Sequence, residues 1–255
     1  MIKSYAKINI FLKIIGKRGG YHEIVSRFVR LSKLYDEMEF LPKSLNTKCF
    51  ELKGEFNCEL KKNTVYKAYE LLRGIADTKK LDDFFAEYFL NVKKNIPFGG
   101  GLGGGSSNAA TFLLYINKTL ELGLSLEELC GIGSKTGADV NFFLHECEAA
   151  NVSGIGEIVK PLKDEVPDIE LIFDDATCDT ALIYNNFREQ FADNIDKTAA
   201  QNLISLSSKE ILQKFDNITL NDLLRSVLIC YPSLKAKADA RLFLSGSGST
   251  FFKVR

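Results

Sequence analysis

The chain has 255 residues, of which 45% are apolar and 26% are charged, and its 33 basic residues balance 33 acidic ones. This length and apolar content are enough for one large core or two smaller ones, which excludes a disordered protein. The charge balance removes the electrostatic argument for a general nucleic-acid or anionic-membrane binder. No apolar run approaches the roughly 18–20 residues of a membrane-spanning helix. Lys3 and Lys7 fall inside a strand-like segment, which argues against a secretory signal.

The six cysteines and two histidines are scattered along the chain, and no two cysteines form a Cys-x-x-Cys pair. Zinc fingers and iron–sulfur clusters need clustered ligands, so the sequence predicts no metal site of that kind. A chain of this size needs no disulfide bonds for stability. We therefore expect free thiols in a reducing cytoplasm.

The first predicted element is a strand over residues 4–15, where apolar and polar residues alternate. Ile8 and Ile10 face one way, and Lys7 and Asn9 lie side by side on the opposite face. The remaining predicted elements, in chain order, are a second strand running from a Gly19-Gly20 turn towards residue 40, a strand over 48–60, a helix capped by Asn63, a strand over 84–92, a helix after the glycines at 99–105, a helix with a Ser125–Glu128 capping box that ends near 131–133, strands at 149–152, 157–159 and 169–173, several helices between 180 and 237, and a hairpin of 241–244 with 250–254.

The pattern along the chain changes after residue 140, from a strand-and-helix alternation to short strands followed by several helices. We place a domain boundary near Ser153, which gives domains of residues 1–153 and 154–255. No Pro-rich or Ser-rich linker separates the two halves, so we expect them to share an interface.

The segment between the predicted strand 84–92 and the next helix contains six glycines in seven positions. This glycine-rich segment reads Pro97-Phe98-Gly99-Gly100-Gly101-Leu102-Gly103-Gly104-Gly105-Ser106-Ser107. Glycine loses more conformational entropy on ordering than any other residue, so a dense run indicates backbone that must stay bare. Several N–H groups can then converge on a phosphate, helped by the positive end of the following helix. The segment predicts a phosphate-binding loop, with a flexible surface loop as the alternative.

The glycine-rich segment differs from the common phosphate-binding motifs, or matches them only weakly. Walker A needs a lysine before its Ser or Thr, and no lysine follows Gly105. The spacing Gly99-x-Gly101-x-x-Gly104 matches the dinucleotide motif, but any dense glycine run contains it, and no strand-end acid follows about 20 residues later. The HRD and DFG elements of protein kinases are absent from the sequence.

Four other features have two interpretations each. Asp139 is either a helix cap or a functional carboxylate. Lys7 is either a solvated edge charge or a functional cation, and lysine pairs such as 93–94 are typical of solvated faces. His22 is either a surface turn residue or a ligand contact. Gly246-Ser247-Gly248 is a turn, or a second phosphate nest if the fold brings it near the glycine-rich segment.

Five motifs occur in an order that resembles a known family. They are Ala6-Lys7-Ile8-Asn9, Gly20-Tyr21-His22-Glu23, the glycine-rich segment, Gly137-Ala138-Asp139-Val140 and Leu244-Ser245-Gly246-Ser247-Gly248. Together they resemble the GHMP small-molecule kinases, which include galactokinase, homoserine kinase, mevalonate kinase and phosphomevalonate kinase. The similarity runs over essentially the whole chain. The first two motifs are similar to those of the branch that acts on 4-diphosphocytidyl-2-C-methyl-D-erythritol.

The resemblance implies an α+β GHMP kinase fold. Residues 1–153 would form a ribosomal-protein-S5-like sheet-and-helix domain that binds ATP, and residues 154–255 a ferredoxin-like α/β sandwich domain that closes over the substrate. The implied activity is ATP-dependent phosphorylation of the 2-hydroxyl of the diphosphocytidyl alcohol in non-mevalonate isoprenoid biosynthesis, with Mg²⁺ bridging phosphate oxygens. We expect a cytoplasmic monomer or homodimer that binds neither nucleic acid nor membrane.

Site roles follow from the same resemblance. Asp139 matches the family's catalytic aspartate, which takes the proton of the substrate hydroxyl, and Lys7 matches the catalytic lysine, which neutralises developing charge and keeps Asp139 ionised. The positions that match substrate contacts are Asn9, Tyr21, His22 and Tyr184, the last where an aromatic ring stacks on cytosine. The positions that match the nucleotide site are Asn63, Lys94 and the glycine-rich segment. No protein ligand to a metal is assigned.

Three alternatives stay open. Within the family, the chain could be another small-alcohol kinase, such as a mevalonate or homoserine kinase. A dinucleotide-binding oxidoreductase would need a ribose-binding acid after a second strand, and we can place none. A ribosomal-protein-like RNA binder is disfavoured by the zero net charge and by the glycine-rich segment.

Overall fold

The computed structural model of the chain describes residues 1–44, 47, 49–237 and 239–255. Within these residues the strands are β1 (Ile2–Arg18), β2 (Tyr21–Pro42), β3 (Leu52–Gly54), β4 (Tyr88–Lys93), β5 (Ala149–Gly154), β6 (Ile158–Leu162), β7 (Ile169–Ile172), β8 (Phe243–Leu244) and β9 (Phe251–Val254). The α-helices are α1 (Thr64–Arg73), α2 (Thr78–Glu87), α3 (Gly104–Thr119), α4 (Leu126–Thr136), α5 (Val140–Leu144), α6 (Thr180–Gln190), α7 (Lys197–Ile204), α8 (Ser208–Lys214), α9 (Asn217–Leu220) and α10 (Leu224–Cys230). Short 3₁₀ helices cover Leu60–Lys62, Ala192–Asn194 and Pro232–Lys237.

The chain divides into two compact units, each built from three stretches of sequence. The first unit comprises Met1–Ala6, Leu31–Ile96 and Gly104–Glu146, and the second comprises Lys7–Arg30, Pro97–Gly103 and Cys147–Arg255. The predicted domain boundary near Ser153 falls inside β5. A division into domains 1–153 and 154–255 stays a prediction.

The first unit packs helices on a small sheet. The second half of β2 pairs antiparallel with β4, with Phe40 opposite Leu90, and β3 runs parallel to β4. Helix α3 packs against α1, α4 and α5. Aromatic rings fill the core between these elements, and the Phe50 and Tyr69 rings stack with centroids 4.2 Å apart. Side-chain caps begin the helices as the sequence predicts, with Asn63 at α1 and the Ser125–Glu128 capping box at α4.

Two sequence predictions for the first unit need correction. Residues 84–87 are helical rather than extended, because Asp77 caps α2 and its apolar residues Leu81 and Phe85 are buried one turn apart. The strand therefore starts only at Tyr88. The predicted strand over 48–60 is reduced to β3, and Lys48 lies outside the described residues. Helix α4 ends at Thr136, a few residues beyond the prediction.

The second unit contains two sets of paired strands. The first half of β2 pairs antiparallel with β5, and β5 pairs with β6. Strand β9 lies between β7 and β8, which confirms the predicted hairpin at the end of the chain. A core that includes Ile14, Ile183, Leu223 and Phe251 joins β1 and the hairpin to helices α6 and α10. None of the helices in the described part of the chain is both long and apolar enough to cross a membrane.

Candidate functional site

The glycine-rich segment is divided between the two units. Residues 97–103 belong to the second unit, and Gly104, the first residue of α3, starts the part that belongs to the first. The connection from strand β4 to helix α3 agrees with the sequence prediction. Gly99, Gly101 and Gly103 have φ angles between +63° and +71°, in the left-handed region that favours glycine.

In the second unit, three of the glycines lie against the turn of residues 245–250. The amides of Ser249 and Thr250 donate to the carbonyls of Gly99 and Gly100 at 2.9 and 3.2 Å. A Cβ at Gly101 would overlap the Ser245 carbonyl oxygen, and a Cβ at Gly100 would lie 2.7 Å from the Thr250 hydroxyl. Close backbone packing is thus a reason for glycine here that the sequence did not reveal. The Gly246-Ser247-Gly248 motif is a turn, and it does lie beside the glycine-rich segment.

Lys7 and Asn9 form a buried pair on β1. The Lys7 side chain donates to Asn9 Oδ1 at 2.7 Å and to the Gly101 carbonyl at 2.9 Å, and its Nζ lies 4.6 Å from the centre of the Phe28 ring. Only 3% of Lys7 is exposed, so the interpretation of Lys7 as a solvated edge charge is wrong. Asn9 Nδ2 donates to Ser26 Oγ at 2.9 Å, which fixes the amide that holds the ammonium. The predicted side-by-side placement of Lys7 and Asn9 is confirmed.

In the first unit, several predicted nucleotide-lining residues meet at the first turn of α3. Thr64, next to the cap residue Asn63, donates its hydroxyl to the Gly105 carbonyl at 2.6 Å. The Nζ of Lys94 lies 3.3 Å from the place a Cβ on Gly104 would occupy. The first-turn N–H groups of a helix lack intrahelical acceptors, and residues 104–106 of α3 are exposed or half-buried. This turn is thus open to an anion.

Lys94 departs from the solvated lysine pair predicted for 93–94. Lys93 is exposed, but only 7% of the Lys94 side chain is, and Lys94 forms an ion pair with Asp36. Its Nζ also donates to Asn108 Oδ1 at 2.9 Å. Burial lowers the pKa of Lys94, and the carboxylate of Asp36 acts in the opposite direction.

Asp139 occupies the N-cap position of α5, but within the described residues its side chain makes no capping hydrogen bond to that helix. The residue is half-buried. Two positions earlier, a Cβ on Gly137 would lie 3.5 Å from Ser106 Oγ. The first unit therefore brings the backbone beside Asp139 to the first turn of α3. Of the two interpretations of Asp139, a helix cap loses its support.

His22 and Tyr184 stack in the second unit, with ring centroids 5.1 Å apart and planes inclined by 31°. His22 is buried, so its interpretation as a surface residue is wrong. Its Nε2 is buried and, within the described structure, has no hydrogen-bond partner. Burial and the nearby charges of Arg188 and Lys17 lower the pKa of His22. Tyr21, which precedes His22 in the sequence, is 68% exposed.

In the described part of the chain, carboxylates and imidazoles do not gather into a metal site. No group of three or more His, Cys, Asp or Glu side chains that could hold a metal ion occurs among the described residues. All six cysteines, each within the described part of the chain, are free thiols, as expected.

Sequence reasoning missed four residues that support these groups. They are Ser4, Asp36 and Asn108 in the first unit and Ser245 in the second. Ser245 Oγ donates to the Gly101 carbonyl at 3.0 Å, the same oxygen that accepts from Lys7. Asp36 carried a usable signal, because it is an acid on the inward face of an alternating strand, two residues before the buried Met38. Ser245 carried one too, because it lies in the Leu244–Gly248 motif.

Comparison with known sequences yields close relatives. Residues 63–146 match the family described as GHMP kinases N terminal domain. The chain is 45% identical to a 4-diphosphocytidyl-2-C-methyl-D-erythritol kinase of Sulfurimonas denitrificans, over 100% of this chain and 97% of the relative. It is 42% identical to the protein of the same name from Campylobacter jejuni subsp. doylei, over 99% of each.

Solved structures similar to this chain include two kinases. A crystal structure of 4-(cytidine 5'-diphospho)-2C-methyl-D-erythritol kinase matches with a TM-score of 0.75 and 27% identity, over 99% of this chain and 89% of that one. A homoserine kinase from Cytophaga hutchinsonii matches with a TM-score of 0.60 and 16% identity, over 100% of this chain and 86% of that one. The second likeness shows a shared fold alone.

Proposed function

The chain belongs to the 4-diphosphocytidyl-2-C-methyl-D-erythritol kinase family, and we propose that the residues around its glycine-rich segment carry out that family's reaction. It has the GHMP kinase fold expected from its sequence. Its activity is the ATP-dependent phosphorylation of the 2-hydroxyl of 4-diphosphocytidyl-2-C-methyl-D-erythritol in isoprenoid biosynthesis. In phosphoryl transfer, a protein contributes mainly by positioning the reactants and by neutralising charge.

The observation that carries the proposal is the open first turn of α3. Bare N–H groups at residues 104–106 and the positive end of a 16-residue helix suit the triphosphate of ATP. The Nζ of Lys94, which is paired with Asp36, lies beside Gly104 at this end of the helix. Gly103, with φ of +71°, leads into the turn without a side chain. These features fit an anion, and we assign the phosphates to this turn.

Asp139 is proposed as the base that takes the proton of the substrate hydroxyl. A general base needs an ionised, accessible oxygen. Asp139 is half-buried, rather than enclosed in the core, and stands at the start of α5. The backbone two residues earlier lies beside Ser106. The carboxylate thus belongs to the same unit as the proposed phosphate turn.

Lys7 is proposed to neutralise the charge that develops during transfer. Burying an ammonium is costly unless it is hydrogen-bonded. Lys7 donates to the Asn9 amide oxygen and to the Gly101 carbonyl, which supply part of that support and fix the position of the ammonium. An ammonium held in a fixed position stabilises the negative charge of a transferring phosphoryl group without reorganising.

Mg²⁺ is proposed as the metal that accompanies ATP. Protein sites for Mg²⁺ in kinases use one or two oxygen ligands and leave the rest to phosphates and water. The scarcity of clustered acids in the described residues fits such a sparse site. Ser106, in the first turn of α3, is the side chain that would hold it, and the ion would supply charge neutralisation on the phosphate oxygens.

The cytidine end of the substrate is assigned to His22, Tyr184 and Tyr21, with Asn9 supporting the group from β1. A buried, unpartnered Nε2 favours a ligand that completes its hydrogen bond. The lowered pKa keeps the ring neutral, with one donor and one acceptor nitrogen. The ring of Tyr184 offers a flat surface on which a pyrimidine can stack.

The test is a phosphotransfer assay with ATP and a panel of alcohols. We expect the highest kcat/KM for the cytidine-tagged alcohol and at least about tenfold less for a uridine analogue, because a mismatched edge leaves buried polar groups unpaired. Untagged methylerythritol phosphate, mevalonate and homoserine should be poor substrates. His22→Gln should reduce the preference for the tag, whereas His145→Gln, which alters the other histidine, should retain it. Equal kcat/KM for tagged and untagged alcohols would reject the assignment.

We further propose that the enzyme works in the cytoplasm as a monomer or homodimer, binding neither nucleic acid nor membrane. The six free thiols support a reducing compartment. The zero formal net charge supports the absence of a polyanionic partner. Fractionation of cells and sedimentation of the purified protein test these two points.

A further inference from the structure

Asp36 is a buried acid whose role the proposed reaction does not explain. It lies on β2 with 0% of its surface exposed. An isolated carboxylate there would be very costly, so its hydrogen bonds must compensate. Its Oδ1 accepts from the backbone amides of Asn95 and Ile96 at 2.7 and 2.8 Å. Its Oδ2 accepts from Lys94 and, at 3.0 Å, from Asn108 Nδ2.

These partners show what Asp36 holds in place. Residues 94–96 are the last backbone before the glycine-rich segment, and all three are bound to one carboxylate. Two are held by their amides and Lys94 by its side chain. A carboxylate that accepts backbone N–H groups fixes both the position and the orientation of that backbone. Asp36 thus determines where the glycine-rich segment begins.

The hydrogen bonds continue from Asp36 to the first turn of α3. Asn108 accepts from Lys94 and donates to Ser4 Oγ at 2.9 Å. Ser4 Oγ in turn donates to Ser107 Oγ at 2.8 Å. Ser4, Ser107 and Asn108 are almost completely buried. The chain of bonds therefore runs through the interior and ends at the turn assigned to the phosphates.

We infer that Asp36 is a positioning residue of the nucleotide site. It holds Lys94 and residues 95–96 directly. It acts on the first turn of α3 through Asn108 and Ser4. This inference rests on the proposed function, because it takes that turn as the phosphate site. Asp36 itself contacts no phosphate. Its effect is expected in ATP affinity rather than in affinity for the alcohol.

A second buried ion pair provides a matched control. Arg27 and Asp164, in the second unit, have side chains 0% and 2% exposed, with 3.6 Å between Nη1 and Oδ2. Arg27 also donates to the Ile204 carbonyl at 2.8 Å, at the end of α7. Ser208, a fully buried serine, donates its hydroxyl to Asp164. Asp164→Asn and Ser208→Ala therefore resemble Asp36→Asn and Ser4→Ala in chemistry, but they lie outside the proposed nucleotide site.

The experiment measures the Kd of Mg²⁺–ATP by calorimetry, without the alcohol, together with the KM of each substrate and the Tm. We expect Asp36→Asn to raise the Kd and the KM for ATP about tenfold and Ser4→Ala about threefold, with the KM for the cytidine alcohol within about twofold of wild type. These factors follow from hydrogen-bond losses of about 0.5–1.5 kcal/mol each. Asp164→Asn and Ser208→Ala should lower Tm while leaving ATP affinity unchanged.

Each result of these measurements either supports or overturns the positioning role of Asp36. If Asp36→Asn does not fold, Ser4→Ala, which disturbs no buried charge, carries the test. Wild-type ATP affinity in a folded Ser4→Ala variant would then overturn the inference, as would equal losses in the control variants. Failure of the proposed function appears separately, as a wild-type enzyme that binds ATP but does not phosphorylate the cytidine alcohol. In that case the Kd values still test Asp36.

Discussion

Gly101→Ala tests whether packing against the turn of residues 245–250 sets the geometry of Lys7. Gly101 has φ of +71°, where an alanine costs about 1–2 kcal/mol. The added Cβ would also overlap the Ser245 carbonyl oxygen and lie 3.1 Å from that of Gly248. These neighbours are backbone atoms and cannot rotate away, so the loop or the turn must shift, at a further cost of about 1–3 kcal/mol. We expect a total loss of about 2–5 kcal/mol in the free energy of unfolding.

Activity should fall by more than this loss of stability explains. The Gly101 carbonyl accepts hydrogen bonds from the Lys7 side chain and from Ser245 Oγ. When that carbonyl moves, the ammonium of Lys7 loses this acceptor or moves with it. A displacement of about 1 Å in a positioned catalytic group can cost about 10²-fold in rate. We therefore expect kcat to fall about 10²-fold at a temperature where the variant is fully folded.

Gly123→Ala is the matched control. Gly123 has φ of +70° in the turn between α3 and α4, and a Cβ there would meet no atom within 4 Å. Its substitution should cost only the conformational term, about 1–2 kcal/mol. Urea unfolding measures both stabilities, and steady-state kinetics measure both rates. If Gly101→Ala matches Gly123→Ala in stability and retains wild-type kcat, the packing and its link to Lys7 are refuted.

The remaining predictions concern the base and the cytidine contacts. Asp139→Asn should lower kcat about 10²–10⁴-fold while calorimetry still detects ATP binding; near-wild-type turnover would contradict the role of base. Tyr184→Ala should raise the KM for the cytidine alcohol more than it lowers kcat, because stacking far from the reacting hydroxyl contributes equally to ground and transition states; an effect on kcat alone would contradict this. Because the folded protein lowers the pKa of His22 below its usual value of about 6.5, the unfolded chain binds this proton more readily. The stability contributed by neutral His22 is therefore complete above about pH 6.5 and is lost as pH falls through the lowered pKa. His22→Gln should flatten the dependence of Tm on pH between about pH 7 and pH 5, and an unchanged slope would count against the shift.

Features determined by neighbours in sequence were predictable. Period-two alternation on β1 puts Lys7 beside Asn9, and their side chains are 2.7 Å apart. Asn63 and Ser125 cap helices because their side chains reach N–H groups only two or three residues away. Local chemistry suffices in these cases. The roles of Lys7 and Asp139 came from the resemblance to the kinases rather than from such patterns.

The strand predicted over 84–92 shows where local pattern was ambiguous. Phe84, Ala86, Tyr88, Leu90 and Val92 occupy every second position, as apolar residues do in a strand. Leu81 and Phe85 are also spaced as on a helix, and both are completely buried. The cap at Asp77 and packing in the first unit favour the helix as far as Glu87. The same residues fit both a strand and a helix periodicity, so burial in the tertiary structure determines which of the two forms.

The sequence offered two explanations for the glycine-rich segment, a phosphate-binding loop or a flexible surface loop, and the structure adds close packing as a third. Gly99, Gly100 and Gly101 are glycines because the chain of residues 177 and 245–250 approaches their backbone too closely for a Cβ. At Gly104 the nearest neighbours of an added Cβ are the side chains of Ile96 and Lys94, at 3.0 and 3.3 Å. Such contacts form between residues that are distant in sequence, so no local sequence pattern predicts them. An alanine at Gly104 would press on the ammonium of Lys94, which Asp36 and Asn108 hold, and would disturb the nucleotide site rather than Lys7. The contacts that require glycine at 99–101, in the second unit, therefore differ from those around Gly104, in the first unit.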